Sequence, residues 1–100
     1  MSMVAVFLKI DAERVADCVQ EVRAQLDSAQ DEMILDFSSV LRIDSRALRA
    51  MEDLAGLAED KAVKIGLLGV NVGIYKVLKL AKLAPRFCFL PERTGANAGK

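Results

Sequence analysis

Apolar residues along this chain alternate between short continuous runs and longer stretches with helical spacing. Four short runs have the length of β-strands and are rich in aliphatic and aromatic side chains. They are residues 3–10, 32–37, 63–70 and 87–90. Three longer stretches place apolar side chains three or four residues apart, as amphipathic helices do. They are residues 12–29, 45–60 and 72–84. The predicted order β-α-β-α-β-α-β is typical of an α/β fold with a mostly parallel sheet of buried strands.

Capping residues predict where the helices begin and end. Asp11 and Asn71 precede the first and third helices and are predicted to cap them. Pro85 disfavours helical geometry in the residue before it, and it is therefore predicted to end the third helix. The predicted inward-facing residues of that helix include Tyr75, Leu78 and Leu83.

The composition is that of one folded domain. The chain has 100 residues, of which 53% are hydrophobic and 28% charged. We expect one domain over residues 1–92 and a frayed, flexible C-terminal tail over residues 93–100. The first residues lack the basic segment and long apolar run of a secretory leader, and lysines interrupt the apolar stretch 63–84. We therefore expect a soluble, cytoplasmic protein that does not insert into membranes.

Several chemical functions are disfavoured by what the chain lacks. It has no histidine, which excludes histidine-based acid–base catalysis and histidine metal ligands. Cys18 and Cys88 lie far apart without a CxxC motif, so we expect small buried hydrophobic side chains rather than a metal or redox site. Gly66, Gly69 and Gly73 do not have the spacing of a phosphate-binding loop. We expect no metal, no cofactor and no enzymatic activity.

The formal net charge of +0 hides an uneven distribution of charge. Residues 1–60 hold thirteen acids and six bases, which leaves −7, whereas residues 61–100 hold one acid and eight bases, which leaves +7. The sequence pI of about 6.2 argues against direct nucleic-acid binding. The lysines at 76, 79 and 82 form a basic stripe on the predicted third helix. A solvated face is the default interpretation, and a surface that binds a partner or anionic lipid is the alternative. In a small domain, the opposite charges of the two parts of the chain would form a strong electric dipole. Such a dipole increases the rate of association with a charged partner more than it raises the affinity.

The segment between the second strand and the second helix carries the most distinctive chemistry. It reads DFSSVLRIDSRAL over residues 36–48. Ser45, at the predicted start of the helix, could cap it by accepting a hydrogen bond from a backbone N–H. Alternatively, its hydroxyl could be exposed at the positive end of the helix dipole, where an added phosphate is stabilised. Local chemistry alone favours the capping role.

The run DFSSVxxIDSxAL resembles the signature of the STAS domain, the domain of anti-sigma factor antagonists. In that family, D-S-[ST]-G-L stands at the head of a helix. The similarity continues through VKIGLLGVNVGIYKVLKLAKLAPRFCFLP. It covers about residues 32–91 well and the first 30 residues only by general plan. The resemblance implies a STAS-like single α/β domain, with a mostly parallel four- to five-stranded sheet and three or four helices.

The resemblance also implies a partner-switching function. In the family, the serine after the Asp is phosphorylated by the anti-sigma factor, which is a serine kinase, and phosphorylation ends their complex. By position the phosphoacceptor is Ser45 and the preceding acid is Asp44. The implied partner-binding residues are Asp36, Ser38, Asp44, Ser45, Arg46 and Arg49. Whether the domain also forms a homodimer is left open.

Two residues depart from the family signature. Arg46 stands in place of Ser or Thr, and Ala47 stands in place of Gly, which requires helical backbone at that position. Arg42, Arg46 and Arg49 surround Ser45 in sequence. They could neutralise a phosphoserine, contact an acidic partner, or simply be solvated side chains.

An alternative function is the small STAS subunit of an ABC lipid-transport complex. The stretch GVNxxxYKVLKLAKL is similar to that branch, in which the hydroxyl residue after the Asp docks on the ATPase without being phosphorylated. A third hypothesis, a small enzyme, finds no supporting motif in the sequence.

Overall fold

Within the part of the chain that the structure describes, four strands and three α-helices alternate, as the hydrophobic pattern predicts. The computed structural model describes residues 6–26 and 32–91. Its elements are β1 (Val6–Lys9), α1 (Val15–Gln25), β2 (Glu32–Asp36), α2 (Ser45–Lys61), β3 (Lys64–Leu68), α3 (Val72–Leu80), a 3-10 turn (Ala84–Arg86) and β4 (Cys88–Leu90). The predictions for residues 3–5, 27–29 and 93–100 concern positions outside the described ranges.

The strands form one parallel sheet in the order β1-β2-β3-β4. Right-handed crossovers that step in one direction place their helices on the same side of a sheet. The burial pattern agrees with this arrangement, because alternate residues of the two central strands are at most 3% exposed. These residues are Met33, Leu35, Ile65 and Leu67. They form the core together with the apolar faces of the helices.

The opposite face of the sheet is much more open. Phe7 is 53% exposed there, and Cys88 in the same register row is also exposed. The third strand is buried along most of its length, as predicted, but Ile34 of β2 is only half-buried. Cys18 is half-buried on α1. The prediction that both cysteines are buried hydrophobic side chains is therefore wrong for Cys88, because β4 turns it away from the helices.

The first helix begins later than predicted, which removes Asp11 from the capping position. Arg14 is the N-cap residue of α1 and makes no side-chain capping bond. The Asp11 carboxylate instead accepts from the backbone N–H of Glu13 at 2.8 Å. The backbone carbonyl of Asp11 accepts from the N–H of Arg14 at 3.1 Å, which closes a turn. Asp11 thus stabilises the turn before the helix, and its prediction as a cap is wrong.

The third helix ends at Leu80, before the residue that was predicted to stop it. Lys82 adopts a left-handed conformation with φ 63°, and the N–H of Leu83 returns to the carbonyl of Leu78 at 2.8 Å. This is a common way to end a helix, although glycine usually occupies the left-handed position. Pro85 lies afterwards, in the 3-10 turn. Lys82 therefore lies beyond the helix rather than on it.

Two of the three predicted inward-facing residues in this region are buried. Leu78 is 0% exposed and Leu83 is 1% exposed. Tyr75 is 40% exposed, so its prediction as an inward residue is wrong. Its ring rests edge-on against Phe89, with the ring centroids 5.0 Å apart. None of the helices in the described ranges has the length and apolar composition that crossing a membrane requires.

Candidate functional site

The predicted contact residues lie along the end of β2, the loop that follows it and the first two turns of α2. The loop is anchored by Phe37, whose side chain is 0% exposed. The backbone N–H of Phe37 donates to the carbonyl of Leu68 at 2.8 Å, and its carbonyl accepts from Val40 at 2.9 Å. The loop therefore leaves the sheet at the carboxyl ends of the strands, the usual position of binding sites in α/β folds.

Asp36 and Ser38 are brought together by a turn at the start of this loop. The Asp36 carboxylate accepts from the backbone N–H of Ser38 at 2.9 Å. Hydrogen bonding to the Ser38 hydroxyl lowers the pKa of Asp36, with smaller contributions from the backbone bond and from the positive charge of Lys9. The carboxylate therefore remains ionised under ordinary conditions. Its direct role is to fix the turn.

Asp44 is the cap of α2, and Ser45 is the first helical residue. The Asp44 carboxylate accepts from the backbone N–H of Ala47 at 2.8 Å. Ser45 is exposed, and no hydrogen bond in the described ranges uses its hydroxyl. The favoured prediction that Ser45 caps the helix is wrong, because the preceding residue has the extended backbone of a cap. The Ser45 hydroxyl is left accessible at the positive end of α2.

This capping assignment can be tested by protein stability. We expect Asp44→Ala to lower the free energy of unfolding by about 1 kcal/mol, because one N–H of the first turn loses its acceptor. Asp44→Asn should retain most of the stability, since its amide oxygen can accept the same bond. Ser45→Ala should change stability by less than about 0.5 kcal/mol. Urea unfolding of the three variants measures these differences, and a larger loss for Ser45→Ala than for Asp44→Ala would contradict the assignment.

The arginines around Ser45 do not act as one cluster. Arg46 reaches α1, where its Nη2 donates to the Oδ1 of Asp17 at 3.3 Å. Arg42 and Arg49 are exposed, and Arg49 follows Ser45 by one helical turn. Because both partners of the Arg46 ion pair are substantially exposed, it contributes less than about 1 kcal/mol to stability. Its clearer effect is to orient Arg46 toward α1.

Ala47 has the helical backbone that its replacement of glycine requires. It lies within α2 and is 1% exposed, so its methyl group packs in the core instead of requiring the freedom of glycine. The replacement of glycine by alanine is therefore compatible with the local helix.

Two open polar hollows adjoin the start of α2. One, of about 530 Å³, has Arg14, Arg42 and Asp44 in its wall. The other, of about 330 Å³, includes Ser45 and Arg49. The described residues contain no group of three or more His, Cys, Asp or Glu side chains placed to hold a metal. Shallow, charged walls of this kind are better suited to contact a protein surface than to enclose a small molecule.

Asn71 has a role that sequence reasoning only half identified. As predicted, it caps α3, with its Oδ1 accepting from Ile74 N–H at 2.8 Å. Its Nδ2 also donates to the carbonyl of Leu41 at 2.9 Å and approaches that of Val40 at 3.4 Å. The cap of α3 therefore also holds the loop that leads to Ser45. A capping pattern in the sequence contains no signal for this second contact.

Comparison with known proteins agrees with this architecture. The family model described as STAS domain matches residues 2–97. No curated protein matches the chain at a significant level.

Two structures of one bacterial protein, TM1081, share the fold. The crystal structure, of a proposed anti-sigma factor antagonist from Thermotoga maritima, has a TM-score of 0.70 at 18% identity. The similarity covers 94% of this chain and 86% of that chain. The NMR structure of TM1081 has a TM-score of 0.70 at 20% identity, with 95% and 82% of the two chains covered.

A second protein with this fold is the anti-sigma factor antagonist SpoIIAA in its unphosphorylated form. It has a TM-score of 0.63 at 16% identity, and the similarity covers 92% of this chain and 79% of that chain. At these identities the likeness establishes a shared fold.

Proposed function

This chain belongs to the STAS domain family, and from that membership we propose that it acts as an anti-sigma factor antagonist in the cytoplasm. It would be a non-enzymatic protein that binds an anti-sigma factor with serine kinase activity. Ser45 would be the residue that the kinase phosphorylates. SpoIIAA and TM1081, which share its fold, are described as an anti-sigma factor antagonist and a proposed one.

The observation that carries this proposal is the position of the Ser45 hydroxyl. Asp44 already supplies the helix cap, so the hydroxyl is not needed to satisfy the backbone. It stands exposed on the first turn of α2, beside a loop that Phe37 and Asn71 hold in place. A kinase can reach such a hydroxyl without unfolding the helix.

Electrostatics explains how phosphorylation would end the complex. A phosphate adds about −1.5 to −2 charges at neutral pH. On Ser45 these charges would stand next to the Asp44 carboxylate, in a surface that must lose water to pack against a partner. Desolvation and repulsion both disfavour that packing. Arg49, one turn further along α2, would offset only part of the added charge.

The direct test is to incubate the protein with the purified candidate anti-sigma factor kinase and ATP, and then to measure its mass. We expect the addition of one phosphate to the wild type, none to Ser45→Ala, and one to Ser39→Ala. Ser39 is a suitable control because it is an exposed serine on the same loop. A wild type that gains no phosphate, or gains it at another residue, would contradict the proposed switch.

The alternative partner, an ABC-transporter ATPase, gives a different result. In that case the protein would bind the purified ATPase, Ser45→Ala would weaken the complex, and no phosphate would appear on Ser45. Two features support testing this alternative. The stretch GVNxxxYKVLKLAKL resembles that branch of the family, and Arg46, which is paired with Asp17, replaces the usual Ser or Thr of the phosphorylated signature.

A further inference from the structure

We infer that the partner-binding surface continues from the β2–α2 loop onto the outer face of α3, where it binds an acidic segment of the partner that also carries apolar side chains. We define this α3 surface by five residues: Leu41, Val72, Lys76, Lys79 and Leu80. The inference rests on the proposed function, because it describes the chemistry of the partner that the proposal requires.

Exposed apolar side chains mark this surface. Leu41 is 80% exposed, Val72 is 69% exposed and Leu80 is 85% exposed. On α3, the positions of Val72 and Leu80 are two turns apart on the outer side, whereas Ile74 and Leu78 on the inner side are at most 1% exposed. The helix therefore packs one apolar face in the core and still presents apolar groups to solvent. Single exposed side chains are ordinary, but several along one surface indicate an interaction site.

Asn71 makes the loop and α3 one continuous surface. Its side chain caps α3 and donates to the carbonyl of Leu41 at 2.9 Å. Leu41 is thereby held beside the first turn of α3, where Val72 is exposed. A partner that covers the first turn of α2 and the loop would therefore meet the start of α3 next.

The charge on this surface indicates the chemistry of the partner. Lys76 and Lys79 lie on the outer side of α3, and Lys82 follows just beyond its end. The sequence contains no Asp or Glu from residue 61 to residue 91. None of the three lysines takes part in an ion pair within the described ranges. A complementary partner surface is therefore acidic, with apolar side chains opposite Val72 and Leu80.

A membrane surface fits these observations less well than a protein does. Helices that lie in a membrane interface turn a strongly apolar face toward the lipid and keep their charges on the other side. In α3 the strongly apolar face is buried in the core, and the outer face mixes lysines with Val72 and Leu80. Three lysines also fall short of the clusters of about four to eight basic residues typical of anionic-lipid recognition.

A second copy of this chain is also a weaker candidate for the occupant. Six of its fourteen acidic residues lie on α1 and α2, and three of these six already have basic partners within the described ranges of the same molecule. Asp17 pairs with Arg46 at 3.3 Å, and Glu59 pairs with Arg86 at 2.8 Å. These contacts reduce the negative charge available to the lysines of another copy.

The experiment measures binding of the purified candidate anti-sigma factor kinase to variants of the α3 surface. We expect the double variant Lys76→Glu/Lys79→Glu to weaken binding about 10- to 100-fold, mainly through slower association, and to reduce the salt dependence. Leu80→Ser should weaken binding about 5- to 10-fold. The matched control Lys64→Glu, on the open face of the sheet, should bind within about twofold of wild type, since salt screens an exposed charge that lies far from the interface. Circular dichroism checks that each variant is folded.

The outcomes separate this inference from the proposed function. If wild type binds, Ser45→Asp binds much more weakly, and the α3 variants bind like wild type, only the inference is overturned. If wild type does not bind the kinase, both are overturned. The protein can also be mixed with phosphatidylserine vesicles and sedimented. If it co-sediments with them and Lys76→Glu/Lys79→Glu does not, the α3 surface binds membranes and the inference of a protein partner is overturned. Concentration-dependent oligomers in light scattering that the same variant abolishes would replace the protein partner by a second copy.

Discussion

Replacing Phe37 with alanine is expected to lower the free energy of unfolding by about 3 to 5 kcal/mol. Phe37 is completely buried and is the largest such side chain in the core. Its removal leaves a cavity below the β2–α2 loop, and the surrounding core can fill that cavity only in part. The backbone bonds that tie Phe37 to Leu68 and Val40 depend on the same packing. Urea unfolding followed by circular dichroism measures the loss.

Two variants serve as controls for this prediction. Leu41→Ala removes an apolar side chain from the same loop, but at 80% exposure it should change stability by less than about 0.5 kcal/mol. Phe37→Leu keeps an apolar side chain and should lose less than Phe37→Ala. If Phe37→Ala were as stable as Leu41→Ala, Phe37 would not be the anchor of the loop.

The order of the elements could be predicted from the sequence because hydrophobic spacing reports burial directly. On α2, the predicted inward positions Met51, Leu54 and Ala58 are at most 3% exposed, and Leu48 is partly buried against the core. Helix ends were less predictable, since they depend on the backbone geometry of one or two residues. Asn71 caps α3 as predicted. Asp11, a typical capping residue, lies about one turn before the start of α1, and Pro85, a typical helix terminator, lies several residues after the end of α3.

Contacts between distant residues could not be predicted from the sequence. Arg46 and Asp17 are 29 positions apart, and Asn71 and Leu41 are 30 positions apart. Both contacts depend on which helices become neighbours in the folded sheet. They decide two features of the candidate site, the direction of Arg46 and the position of the loop. The motif around Ser45 located the site, but only the fold shows that the serine is not the cap.

The acidic and basic parts of the sequence fold together and contact each other directly. Arg86, from the basic half of the sequence, donates to both carboxylate oxygens of Glu59 in the acidic half, at 2.8 and 2.9 Å. Hydrogen bonding to Arg86 lowers the pKa of Glu59, and the same bond raises that of Arg86. This ion pair joins the last turn of α2 to the 3-10 turn. Lys76 and Lys79 of α3, in contrast, take part in no ion pair within the described ranges.

Replacing Ser45 with aspartate is expected to change stability and partner binding in opposite directions. A carboxylate on the first turn of α2 lies near the positive end of the helix and four residues before Arg49. Both interactions should raise the free energy of unfolding, by about 0.3 to 1 kcal/mol together. In the complex, however, the new charge would lose its water next to Asp44. We expect binding of the anti-sigma factor kinase to weaken by about 3 kcal/mol, or about 100-fold.

Ser45→Asn separates the charge from the size of the side chain. Asparagine is nearly the same size as aspartate but neutral, so binding should fall much less than with Ser45→Asp, and stability should not rise. Urea unfolding and titration calorimetry on wild type and both variants give the two readouts. Equal loss of affinity in both variants would show that bulk, rather than charge, disrupts the contact. Wild-type affinity in Ser45→Asp would place Ser45 outside the interface, and its phosphorylation could then not end the complex.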